Sequence, residues 1–172
     1  MTYLKSNDYF LNNTFKYSSI AIILLPWLII SGPFLPDLVV SLTAIFCIIY
    51  IFYKKEFNYF NDKIFILFVI FWVYLLLRSL TSINILLSLE SSLFLIRFGV
   101  FYIFINLLIN KDELFVKKFT YSLILCFSVV ALDAYIQFFL GKNILGFTYQ
   151  GERLSGFFGE NLILGSYLSR LF

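Results

Sequence analysis

Long apolar runs separated by short polar segments set the rhythm of the chain. A hydrocarbon layer of about 30 Å takes roughly 20 mostly apolar residues to cross as a helix, and the runs have that scale. The first extends from about Tyr17 to Ser31 and closes at Gly32-Pro33-Phe34-Leu35-Pro36-Asp37. Proline resists helix continuation there and glycine tolerates open backbone. Pro26 lies inside this run and predicts a kink. A second run, Leu38 to about Tyr53, has no charge and stops at Lys54-Lys55-Glu56. The third covers Ile64 to about Leu80, with Arg78 near its far end. The fourth covers about Ser91 to Asn110 and contains Arg97; the fifth covers Phe119 to Leu140 and contains Asp133. A polar, Gly-rich stretch from Gly141 to Gly159 leads to another apolar segment near Leu162, of which about two turns precede Phe172. The pattern predicts an all-α polytopic transmembrane helix bundle of about five complete spans plus a partial sixth. Its parts are an N-terminal segment (1–16), the five-span bundle (17–140), and a loop that opens a further region (141–172).

Composition removes the competing classes. The chain is 61% hydrophobic and 22% aromatic but only 13% charged, against about 25% charged in a soluble domain. That excludes a soluble globule, a disordered tail and a secreted disulfide scaffold. A net charge of +3 without a dense basic run gives no reason to expect nucleic acid as a partner. The absence of histidine removes the commonest general base and the commonest neutral metal ligand. Cys47 and Cys126 sit inside apolar runs and read as packing, so no metal and no cofactor are expected. The first run follows 16 mostly polar residues and is followed by a poor cleavage site, which argues against a signal peptide.

Basic residues predict the orientation. Lys5, Lys16, Lys54, Lys55, Lys63, Lys111, Lys117 and Lys118 all fall on one side of the predicted spans. Positive charge favours the cytoplasmic face, so the N-terminus is expected there, with membrane lipids as the surroundings. The opposite side holds Lys142, and Arg78, Arg153 and Arg170 lie at or near it. Arginine offers a planar bidentate fork that suits phosphate and carboxylate, where lysine acts as a point charge. Arginines gathered toward the outer face are therefore either the mark of an anionic ligand or side chains snorkelling at helix ends.

Two charges lie within otherwise apolar spans, at a cost on the order of 2.5 to 3.5 kcal/mol each on insertion scales. Counting from the outer ends, Arg97 is six residues in and Asp133 seven, depths of about 9 and 10 Å at the helical rise. The bland reading is a structural ion pair, Arg97 with Asp133, that locks the fourth and fifth spans. The functional one is that Arg97 lines an outward cavity for an anionic head group.

The densest polar information is Arg153-Leu154-Ser155-Gly156-Phe157-Phe158-Gly159-Glu160-Asn161-Leu162-Ile163-Leu164-Gly165-Ser166-Tyr167-Leu168-Ser169-Arg170. Read physically, it is an arginine, a glycine-punctuated turn that lets a ligand come close, and an acid at a helix start. The string resembles the segment that opens the core domain of O-antigen ligase and O-antigen polymerase-like membrane proteins. Leu132-Asp133-Ala134-Tyr135-Ile136-Gln137-Phe138-Phe139-Leu140-Gly141-Lys142-Asn143-Ile144-Leu145-Gly146 is similar to the helix and loop preceding it there. The resemblance is specific over Leu132 to Arg170; earlier it rests on span count and topology.

The resemblance implies a metal-independent glycosyltransferase of the bacterial inner membrane. Such proteins move glycan from undecaprenyl pyrophosphate to a lipid A core or to a glycan acceptor at the periplasmic face. It implies a carrier-linked glycan and a lipid acceptor as partners, no cofactor, and Arg153, with Arg97 and Arg170, as pyrophosphate-binding residues. The family also has a large periplasmic loop with a histidine, and this sequence has neither. The expectation is therefore an N-terminal part of such an enzyme, inactive alone, with no catalytic residue assigned to Glu160, Asp133 or any other position. Two rivals stand beside it: a non-enzymatic transporter or flippase component for lipid-linked sugars, and a small membrane scaffold.

Overall fold

The computed structural model describes residues 2–149, 151, 153–159 and 163–171, with side chains between 11 and 169. Most of the described residues are helical, with no strand among them beyond an isolated bridge between Lys142 and Thr148. Eight α-helices follow in order: α1 (Thr2–Ile23), α2 (Leu25–Ile30), α3 (Phe34–Lys54), α4 (Lys63–Ser79), α5 (Ile85–Phe94), α6 (Ile96–Lys111), α7 (Phe115–Leu140) and α8 (Leu164–Leu171). Short 3₁₀ turns occupy Phe57–Asn61 and Gly156–Phe158.

Three stretches are long and apolar enough to cross a membrane: Phe34–Lys54, Ile85–Lys111 and Phe115–Leu140. They match the second, fourth and fifth expected spans. The third expected span corresponds to α4, whose 17 residues measure about 26 Å at the helical rise, short of the roughly 30 Å hydrocarbon layer. The first is interrupted. Helix α1 begins at Thr2, well before the apolar run, and ends at Ile23; Leu24 is a turn, and α2 starts at Leu25. Pro26 thus causes a break where a kink was expected. Its ring has no N–H to continue α1, and it sits within the first turn of α2, where proline is tolerated.

The chain packs as two units, one of Met1–Ala21 with Asp37–Phe115 and one of Ile22–Pro36 with Val116–Phe172. In the first, α3 buries Val40, Thr43, Ala44, Cys47, Tyr50 and Ile51, a repeat at the three-and-four spacing of one helix face. Helix α6 buries Val100, Ile103, Phe104, Leu107 and Leu108 with the same spacing. Phe104 meets Phe46 and Phe15 edge-to-face, with ring centroids 5.7 and 5.8 Å away. Where α4 meets α6 the position is Gly99: a Cβ there would fall 2.4 Å from the Phe68 ring.

Polar contacts fix the helix directions in this unit. Near its start α6 presents Arg97 to Asp37 at the start of α3, with Nη2–Oδ1 at 2.5 Å and Nη1–Oδ2 at 2.9 Å. At its end Lys111 donates to the Tyr50 hydroxyl and, at 3.1 Å, to Glu56 just beyond α3. Matching ends meet, so α3 and α6 run parallel. Tyr102 donates to Asp62 at 2.5 Å while Gly99 meets Phe65 and Phe68, so α4 runs antiparallel to α6.

In the second unit, α7 buries Cys126, Val130 and Ala134, again four apart, against Phe158, Leu164 and Tyr167. Trp27 and Ile30 of α2 pack on the same cluster. The break at Leu24 frees backbone carbonyls, and neighbouring side chains take them. Ser122 on α7 donates to the Ile23 carbonyl at 2.6 Å and accepts from Trp27 Nε1 at 3.2 Å. Tyr167 on α8 donates to the Pro26 carbonyl at 2.8 Å.

Candidate functional site

The polar stretch 141–159 belongs to the second unit and is tied to the last three turns of α7. Asp133 and Gln137 lie four residues apart, hence on one helix face, and both are completely buried. Gln137 Oε1 accepts two backbone N–H groups, from Ser155 at 3.0 Å and Gly156 at 2.8 Å. Its Nε2 donates to Ser155 Oγ at 3.0 Å and to the Phe147 carbonyl at 3.3 Å. One side-chain amide thus serves both ends of the loop.

Asp133 complements it. Its Oδ1 accepts the Ile144 N–H at 3.1 Å and its Oδ2 accepts Asn143 Nδ2 at 3.3 Å. Asn143 Nδ2 also donates to the Gly156 carbonyl at 2.7 Å, and its Oδ1 accepts the Phe147 N–H at 2.7 Å. Gly156 has φ +54°, a backbone region costly to a side chain, and an added Cβ would stand 3.2 Å from Leu164 and 3.5 Å from Asp133 Oδ2. The positive φ favours glycine there, and a Cβ would also ask the Leu164 side chain to shift slightly.

This latch presents Arg153, which is exposed two residues before Ser155. Arg153 lines an open cleft of about 710 Å³ with Tyr149, Phe138, Leu154 and the start of α8. A second hollow of about 590 Å³, lined by Ala131, Ala134, Tyr135 and Leu168, shares Phe138, Leu154 and Leu164 with it. A cationic cleft and an apolar hollow therefore adjoin across the same three side chains.

Arg97 and Asp133, expected as an ion pair, each have partners within their own unit. Arg97 belongs to the first unit, where both Nη atoms grip Asp37 and Nη1 also reaches Ser41 Oγ at 3.2 Å. Asp133 is held by neutral donors of its own loop. Similar depth along two helices says nothing of azimuth, and the closing partner of Arg97 lay in what reads as a turn. A guanidinium engaged bidentately by a carboxylate has little left for a pyrophosphate, so of Arg97 and Arg153 it is Arg153 that is presented to a cleft. The side chain of Arg170, and Glu160 altogether, lie outside the described residues. Among the described residues no group of three metal-ligating side chains occurs.

Gln137, Asn143 and Ser155 carry the site and are not among the residues the sequence singles out. Their signal was the recurrence of polar groups at 133 and 137 on one face of an apolar helix. The folding and chemistry together have the make-up of a helical membrane protein with a polar loop latched to one apolar helix. Comparison with protein-family models, curated proteins and solved structures finds no match for this chain.

Proposed function

We propose that the chain carries the lipid-carrier-binding portion of an O-antigen ligase- or polymerase-like glycosyltransferase of the bacterial inner membrane. The observation that carries the reading is that the Arg153 cleft adjoins an apolar hollow across Phe138, Leu154 and Leu164. An undecaprenyl pyrophosphate carrier has the matching two parts, a dianionic head and a hydrocarbon tail. Arg153 binds the pyrophosphate as a fork, and Phe138, Leu154 and Leu164 guide the chain between the two hollows. In the transfer, an acceptor hydroxyl attacks the anomeric carbon, the bond from that carbon to the pyrophosphate oxygen breaks, and the guanidinium stabilises the charge on the leaving group. No described residue is assigned as the base that takes the hydroxyl proton. The reading includes five spans and the start of a sixth, with the N-terminus cytoplasmic and the loop 141–159 periplasmic.

The test is photo-labelling of the full chain in nanodiscs with a reactive undecaprenyl pyrophosphate analogue. Arg153→Ala should reduce labelling roughly ten-fold, the scale of one lost charge-assisted contact, while Lys142→Ala should change it little. Equal labelling of wild type and Arg153→Ala sinks the reading and favours a scaffold. Carrier binding with movement of the lipid between leaflets, and no glycan transfer by the complete enzyme, favours the transporter.

A further inference from the structure

In the first unit, the turn from α4 to α5 holds polar groups that neither the helix packing nor the Arg153 cleft accounts for. A cup of about 240 Å³ opens there, lined by Arg78, Ser79, Thr81, Ser82, Ser88 and Ser92 together with Leu75. Two of the hydroxyls are consumed by the helix joint. Ser79 Oγ and Ser92 Oγ lie 2.6 Å apart and reach the Leu75 and Ser88 carbonyls, each at 2.8 Å. Thr81 Oγ1 donates to the Arg78 carbonyl at 2.9 Å and accepts from Arg78 Nη1 at 3.1 Å. That bond folds the exposed guanidinium over its own turn and orients it before any ligand arrives.

What remains toward the cup is an excess of donors. The unspent N–H groups of Arg78 and the hydroxyls of Ser82 and Ser88 border it, and Ser82 Oγ is buried with no hydrogen-bond partner among the described residues. A buried hydroxyl without a partner is costly to leave unmatched, so an incoming acceptor is favoured there. Asn84 makes no side-chain cap on α5, so the N–H groups of that helix start are not capped by it. No acid is among the described residues lining the cup; Glu90 borders the neighbouring surface with Ile83 to Leu87. The fringe is apolar: Leu77, Leu80, Ile83 and Leu86 are all exposed. In a protein of this class such side chains face acyl chains, so the donors sit where apolar cover ends.

We propose that Arg78, Ser82 and Ser88 form a phosphate-ester site at the α4–α5 turn, independent of the Arg153 cleft and of the reading given to it. A guanidinium held by Thr81 offers a planar pair of N–H groups to the two non-bridging phosphate oxygens, and the two serines donate to the further lone pairs of those same oxygens. The apolar fringe makes the phosphate of a lipid headgroup the fitting source.

The full chain is purified in a phosphorus-free detergent and titrated under native mass spectrometry. One arm uses phosphatidylglycerol and the other inorganic phosphate. The expected result is a one-to-one phosphatidylglycerol adduct weakened roughly ten-fold by Arg78→Ala, as befits one charge-assisted hydrogen-bonding group. The double variant Ser82→Ala/Ser88→Ala should weaken it several-fold with the arginine intact, and Lys142→Ala, which removes the same charge elsewhere, should leave it unchanged. Inorganic phosphate binding with the same pattern of losses supports the site and identifies its ligand as soluble phosphate. Wild-type affinity in Arg78→Ala, or an equal loss in Lys142→Ala, overturns it.

Discussion

At Gln137 a single neutral side chain holds four contacts that are otherwise expensive to leave unmade. Gln137→Leu strips acceptors from two buried N–H groups, those of Ser155 and Gly156. At about 1–3 kcal/mol for each orphaned donor, the loop 141–159 should detach before the helices melt. Limited trypsinolysis in nanodiscs reads this directly, through faster cleavage at Lys142 and Arg153 in the variant. Unchanged cleavage would show that the loop is held by something other than this amide. The case also marks how far residue-level reading goes. Asp133 stands out in the sequence because a charge in an apolar run is costly, whereas Gln137 carries no charge and raises no alarm. Which neighbour neutralises a buried acid depends on a loop that returns ten and more residues later, and no periodicity encodes that return.

For the elements, apolar runs located the long helices well, and α3, α5 with α6, and α7 lie where the runs lie. The start of α1 is different. Its first half is polar and reads in the sequence only as an N-terminal segment with no element assigned, yet helix formation needs only backbone bonds and tolerable propensity. The Leu24 break is managed by side chains from other elements, which gives it a test. Ser122→Ala leaves the Ile23 carbonyl and Trp27 Nε1 without their partner, and should destabilise the protein by about 1–2 kcal/mol. Ser128→Ala is the control, since Ser128 only donates back to Ile124 in its own helix. Thermal unfolding followed by tryptophan fluorescence separates the two. Equal midpoints for both variants would mean the break is held by apolar packing alone.

For the whole molecule, the open matter is how many times the chain crosses. Three stretches are long enough without help, and the proposed five spans require α4 and the α1–α2 pair to cross as well. Single cysteines at Asn58, Ile83, Glu113 and Leu145, introduced into a Cys47→Ala/Cys126→Ala background, decide this with a membrane-impermeant thiol reagent. Labelling from outside should reach positions 83 and 145 and spare 58 and 113. If 58 and 83 label alike, α4 lies along the membrane and the five-span reading falls. Lysine distribution is the sequence's argument for sidedness, whereas the 17 residues of α4 sit at the margin where length alone does not choose between crossing and lying flat.

The fork between Arg97 and Asp37 spans 60 residues of chain, and ribosomes add about 5–20 residues per second. During synthesis Asp37 therefore emerges roughly 3–12 seconds before the residue that neutralises it. A helix entering the bilayer in that interval carries a bare carboxylate at its end, which holds that end in water and lets the remainder of α3 insert. The late arrival of Arg97 then draws α6 alongside in the same direction. The pair that steadies the finished unit thus also carries an order of events: the parallel contact of α3 with α6 closes only after the later helix has been made.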